Sequence, residues 1–146
     1  MNLEQLRLEI EADEGCKYEI YLDHLGLPTC GIGHLVIEGD EEHGQEVGTE
    51  VTQERVAELF EQDVQVTLDE CRRLYEAFDE LPEEVQHILA NMMFNMGRPR
   101  LSGFKKFNAA VAAGEWEEAA EEMIDSRWYR QVTNRADRLV TRMRAV

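Results

Sequence analysis

At 146 residues and 16.9 kDa, with 43% apolar and 32% charged side chains, the chain has the size and core-forming content of one ordinary domain and is too apolar for a disordered tail. Its 15 Lys plus Arg against 31 Asp plus Glu leave a formal charge of −16. That balance counts against nucleic-acid binding, which neutralises phosphates with basic surface. No apolar run approaches the roughly 20 residues that span a bilayer, so stable membrane insertion is not expected. The start MNLEQLRLEIEADEG lacks the basic and apolar stretches of a secretion signal. The expectation is therefore a cytoplasmic chain until it is released.

After Asn2, a candidate N-cap, Leu3, Leu6 and Ile10 recur at helical spacing until the Asp13-Glu14-Gly15 break. Residues 17–33, rich in Tyr, Ile, Leu, Thr and Gly with turn signals at Asp23 to Gly26 and Pro28, predict a small hairpin. Residues 37–50 are acidic and Gly-containing, and read as a loop with a poorly formed strand. From Thr52, apolar positions from Val56 to Leu74 repeat at helical intervals for about six turns, long enough to bridge two lobes.

Pro82 can open the next helix, which runs through EEVQHILANMMFNMG to a stop at Gly97. Its apolar residues extend almost all round, which predicts burial. An RPRLSGF turn and three shorter helices follow, over about 105–113, 115–126 and 133–145. The predicted architecture is α+β and mostly α-helical: one domain with a small antiparallel β lobe (about 13–51), a connecting helix (about 52–75) and a helical lobe (about 76–146 plus 1–12).

Charge is uneven along the chain: residues 1–63 carry 17 acidic and 3 basic groups, and residues 126–146 carry 6 arginines and one acid. The basic end is expected to be attracted to the acidic first half. Cys16, Cys30 and Cys71 are too few and too scattered for a disulfide framework or a C-x-x-C metal site, and read as reduced thiols. The run Glu38, Asp40, Glu41, Glu42 with His43 lacks the spacing of a calcium loop, and no metal or cofactor is expected.

Glu14 and Asp23 come from different elements and could face one another across a cleft. Two carboxyl groups in unlike surroundings are what glycoside hydrolysis needs, one protonated to serve the leaving oxygen and one ionised to handle water or the sugar cation. Thr29 could hold that water, and Gly31 and Gly33 could let a ligand approach the backbone. Taken alone, each feature also fits a solvated carboxylate, a β-forming threonine or an ordinary turn glycine.

Together, Glu14, Gly15, Tyr21, Asp23, Gly26, Thr29, Gly31, Ile32, Gly33 and His34 form the string EG-x5-Y-x-D-x2-G-x2-T-x-GIGH. This string resembles the catalytic signature of phage lysozymes of the T-even type, which are glycoside hydrolases. Further blocks follow in order: LFEQDV around Asp63, NMMFNMG at 91–97, SGF at 102–104, EWEEAA at 115–120, SRWY at 126–129 and TNRA at 133–136.

The resemblance implies a two-lobed, monomeric muramidase acting on bacterial peptidoglycan. It would cut the β-1,4 bond between N-acetylmuramic acid and N-acetylglucosamine with inversion. Glu14 would be the general acid, Asp23 and Thr29 would position the attacking water, and Arg135 would steady Glu14. Gly33, Leu35, Phe94 and Asn95 would contact the glycan, while His34 and Asp63 would form a structural ion pair. Trp128 and Tyr129 read as core aromatics rather than sugar platforms.

Several features depart from the family. The segment after His34 is shorter, Cys30 beside Thr29 introduces a thiol that oxidation could reach if it were accessible, and the T-even enzyme is basic. A catalytically silent carbohydrate-binding relative and an acidic protein-interaction module are the competing readings, opposed by the intact Glu14, Asp23 and Thr29.

Overall fold

The computed structural model describes residues 1–146. It forms α1 (Leu3–Glu14), β1 (Lys17–Leu22), β2 (Pro28–Gly31), β3 (His34–Leu35), α2 (Gln53–Leu74), α3 (Glu83–Ser102), α4 (Lys105–Ala113), α5 (Trp116–Ile124), α6 (Arg127–Gln131) and α7 (Thr133–Arg144). The protein is mostly α-helical with one three-stranded antiparallel sheet near the N-terminus, in the order β1-β2-β3. No helix is long and apolar enough to cross a membrane.

The chain divides into two compact units, Arg7–Val66 and Met1–Leu6 with Thr67–Val146; both boundaries fall inside helices, α1 and α2. In the Arg7–Val66 unit the sheet is a tight meander. Tyr21 stands opposite Thr29, Thr29 opposite Leu35, and Cys30 opposite His34. Residues 36–50 form turns, joined to β1 by an isolated bridge between Glu19 and Glu50 and by backbone bonds of Ile20 with Gly48 and Thr49. Ile10, Ile20, Cys30, Val56, Leu59 and Val64 are buried, so α1, the sheet and α2 supply the apolar faces of this unit.

In the larger unit, α3 is buried from Val85 to Met93, as its nearly continuous apolar surface predicts. Gly97 breaks its backbone with φ +80 and ψ 162, at the predicted stop. The RPRLS segment beyond that point is helical rather than a turn. Pro99 falls just after the break, inside a new first turn where its missing N–H costs no intrahelical bond. Two further short elements escaped the sequence reading: a 3-10 turn at Phe78–Glu80 and α6. Each is about one turn long, too short to show a periodicity.

The basic C-terminal helix has ion-pair partners within its own unit. Arg142 pairs with Glu84 on α3, and Arg144 pairs with Glu117 and Glu121 on α5. All three acids belong to the same unit as α7.

Candidate active site

Glu14 is the last residue of α1. The helix ends there because Gly15 takes φ +74 while its amide still bonds the carbonyl of Glu11 at 2.8 Å. The half-buried Glu14 carboxyl lies against Gly33, in the turn between β2 and β3. A β-carbon placed on Gly33 would stand 2.5 Å from Glu14 Oε1, and Gly33 itself has φ +61. Both facts restrict this position to glycine. Gly31 also has φ +61, and a β-carbon there would meet Val56 Cγ1 at 3.2 Å. The space that these glycines leave, expected to serve a ligand, is thus occupied beside Gly33 by Glu14 and beside Gly31 by Val56.

Asp23 follows β1 and organises the hairpin turn. Its Oδ1 accepts the amides of Leu25 at 2.8 Å and Leu27 at 2.9 Å, while its own amide donates to the Leu27 carbonyl at 2.9 Å. The Leu27 amide first, against the opposing effect of burial, and then the Leu25 amide, His24 and the Gly26 amide hold its carboxyl below the usual carboxylate range. Thr29 is buried and donates its hydroxyl proton to the Leu27 carbonyl at 3.0 Å. Its oxygen lone pairs are therefore the face offered to a further donor such as water.

Tyr21, opposite Thr29, links the two acids electrostatically. Burial raises its phenol pKa first, and the negative charges of Glu14, Cys30, Asp23 and Cys16 raise it further. The ammonium of Lys17 sits 4.3 Å from the centre of its ring. Cys30 is fully buried, and burial, reinforced by Glu42 and Asp40, pushes its thiol up to about 11. A buried, protonated thiol is a poor target for oxidation, so the vulnerability considered for this position does not arise.

His34 is nearly buried and held at both ring nitrogens. Nδ1 lies 2.7 Å from Asp63 Oδ2 on α2, as the family resemblance implies, and Nε2 lies 2.8 Å from Asp40 Oδ2. Burial acts to lower its pKa, but the bonds to Asp63 and Asp40 and their charges outweigh it and raise the ring to about 8. Asp40 was not identified as a partner from the sequence, where it reads as one acid in an acidic run. Glu41 and Glu42 of that run are engaged by Arg55, whose guanidinium bonds Glu42 at 2.8 and 3.0 Å and pairs with Glu41 at 3.0 Å. No group of three His, Cys, Asp or Glu residues is arranged to hold a metal.

The remaining predicted residues belong to the larger unit, except Leu35, which lies exposed on β3. Arg135, on α7, is buried and donates through Nε to Asn91 Oδ1 at 2.8 Å. Phe94 and Asn95 are half-buried on α3. Asn95 Oδ1 accepts the indole N–H of Trp128 at 2.7 Å, which leaves the amide nitrogen as its donor to a ligand. Trp128 is buried in the core, and half-buried Tyr129 donates its hydroxyl to Asp137.

Comparison with known proteins gives this constellation a context. A family model described as phage lysozyme matches residues 11–145. The chain is 30% identical to a probable T4-type lysozyme 2 of Dictyostelium discoideum over 90% of its own length and 89% of that protein. It is also 30% identical to the pre-baseplate central spike protein of Enterobacteria phage T4, covering 89% of this chain and 26% of that one. A third relative at 30% identity is a peptidoglycan hydrolase of Pseudomonas phage phiKMV, with 94% of this chain and 15% of that protein covered. The chain belongs to the phage lysozyme family and is a glycoside hydrolase.

Proposed function

We propose that this protein is a muramidase that hydrolyses the β-1,4 bond between N-acetylmuramic acid and N-acetylglucosamine in bacterial peptidoglycan, with inversion. Glu14 acts as general acid and protonates the leaving glycosidic oxygen. Asp23 is the base: the turn amides hold it ionised through Oδ1, leaving Oδ2 to receive a proton from water. The Thr29 hydroxyl, its own proton given to Leu27, accepts from the same water and orients it. Inversion requires the two carboxyl groups to stand about 6.5–9.5 Å apart so that the water fits between base and sugar.

The observation that carries this reading is the placement of the two acids. The Glu14 carboxyl is seated against Gly33 in the turn between β2 and β3, and the Asp23 carboxyl is held by the amides of its own turn. By the family resemblance, Arg135 is a supporting residue, and Gly33 through its backbone, Leu35, Phe94 and Asn95 are glycan-binding residues. The chain acts as a single lysozyme domain on glycan strands, as a monomer.

The test is clearing of purified peptidoglycan or permeabilised Gram-negative cells by the wild type beside Glu14→Gln. Loss of the acid should lower the rate by about 10²–10⁴-fold. Proton NMR of the first-formed sugar anomer then distinguishes inversion from retention. Equal clearing by both proteins would assign the acid elsewhere, and clearing by neither would favour a carbohydrate-binding role.

A further inference from the structure

We propose that Asp40 is a positioning residue for hydrolysis: by clamping the second ring nitrogen of His34 it keeps that imidazole cationic and fixes the turn in which Gly33 seats the Glu14 carboxyl. The inference rests on the reading of Glu14 as the general acid.

A neutral imidazole has one N–H and one bare nitrogen, and a bare nitrogen cannot bond a carboxylate oxygen. With Asp63 at 2.7 Å from Nδ1 and Asp40 at 2.8 Å from Nε2, both nitrogens must donate, and only the imidazolium does so. Deprotonation would break one bond and leave two carboxylates facing a neutral ring.

Asp40 is built to make this bond. The oxygen that accepts from His34 also accepts the Ile37 amide at 3.0 Å, which closes the segment following β3 back on itself. Burial works against the Asp40 charge, yet the Ile37 amide, the His34 ring and Arg55 hold its carboxyl below the usual range. The ionisable groups around the clamp are Cys30 on β2, Glu41 and Glu42 in the acidic segment, and Asp63 and Arg55 on α2. Arg55 is paired with Glu41, Glu42 and Glu58, and Cys30 stays protonated, so His34 is the member of this set that changes charge near neutral pH.

The link to the reaction is one peptide bond long. His34 follows Gly33, whose α-carbon leaves no room for a β-carbon beside Glu14 Oε1. A ring anchored at both ends, to α2 through Asp63 and to the acidic segment through Asp40, fixes the backbone of that turn. Because the ring is raised, the clamp is complete below the ordinary histidine value of about 6.5 and is lost as pH rises through about 8.

The experiment follows the His34 ring and the Gly33 amide by ¹⁵N NMR from pH 5 to 10, beside the rate on soluble peptidoglycan strands, for wild type, Asp40→Asn, Asp40→Ala and Glu14→Gln. In the wild type the Gly33 amide should titrate with the His34 midpoint, and the rate should fall more steeply above it. Asp40→Asn keeps an oxygen to accept from Ile37 and His34 and removes only the charge. It should lower the midpoint by about one pH unit or more and carry the steep fall in rate down with it. Asp40→Ala also removes the acceptor and should lower kcat several-fold below neutrality with little change in KM; if it fails to fold, Asp40→Asn still decides.

An unmoved His34 midpoint in Asp40→Asn overturns the proposal. So does a moved midpoint with an unchanged rate profile. Glu14→Gln separates the two readings: full activity in that variant refutes Glu14 as the acid, whereas the common midpoint of Gly33 and His34 decides the clamp by itself.

Discussion

Adding a single methyl group at Gly33 brings two penalties together. An L-residue at φ +61 costs about 1–2 kcal/mol by itself. The new β-carbon would also lie 2.5 Å from Glu14 Oε1 and 3.0 Å from its Cδ, closer than non-bonded atoms approach. Because Oε1 is the end of a flexible side chain, the clash is relieved by moving the carboxyl, which in the proposed mechanism is the group the reaction needs in place. Gly33→Ala should therefore lower kcat by tenfold or more while the folded protein survives with reduced stability. Gly31→Ala is the informative control. It carries the same φ penalty but meets Val56 at 3.2 Å, so it should lose stability without a comparable loss of kcat. Measuring thermal unfolding and turnover on both variants separates the two effects, and equal losses of kcat would show that backbone strain, not the seat of Glu14, is responsible.

The short elements hold a similar lesson about what local bonds can do. The five-residue α6 is closed at its N-terminus by Ser126, whose Oγ accepts the Tyr129 amide at 3.1 Å and donates to the Met123 carbonyl at 2.7 Å. One side chain thus ties the end of α5 to the start of α6. Ser126→Ala should destabilise the protein by about 1 kcal/mol, measured by urea denaturation; a change near zero would mean that the buried Trp128 alone fixes the segment.

The contrast with the longer helices explains what the sequence made legible. α1, α2, α4 and α7 run long enough to repeat an apolar face, and the ends of the first three carry Gly15, the Thr52 cap or Gly114, so pattern and punctuation agree. α6 and the Phe78–Glu80 turn have no room for a period, and the helical turn after Gly97 is disguised by Pro99. At the site, the fixed spacing from Glu14 to His34 carried the family resemblance and the proposed chemistry, because a hairpin holds its residues at set register. The bond from His34 to Asp40 was hidden because five neighbouring acidic and histidine residues offer no spacing that singles out one of them. The pairing of Arg142 and Arg144 with α3 and α5 was hidden because net charge along a chain records no distances.

At the scale of the whole molecule, charge is the property that sets this protein apart from the basic enzyme it resembles. The formal charge of −16 already counts all 15 basic groups, and Arg7, Arg55, Arg72, Arg73, Arg98, Arg142 and Arg144 are each paired with a carboxylate besides. A bacterial wall is itself anionic, so encounter is opposed by repulsion that acts over about 10 Å at 0.1 M salt and about 30 Å at 0.01 M. Association is the step that this field slows, since steering acts on rates of encounter more than on chemistry within a bound complex. Clearing of peptidoglycan should therefore accelerate when ionic strength rises from about 0.01 M to about 0.1 M, the range over which the screening length contracts most. A short uncharged chitin-like oligosaccharide gives the control, because its turnover should barely respond to salt. A wall-clearing rate that falls steadily from the lowest ionic strength would reverse the conclusion. It would mean that a local cluster of the remaining cations, such as Lys105, Lys106 and Arg127, governs the approach of the wall despite the sign of the whole.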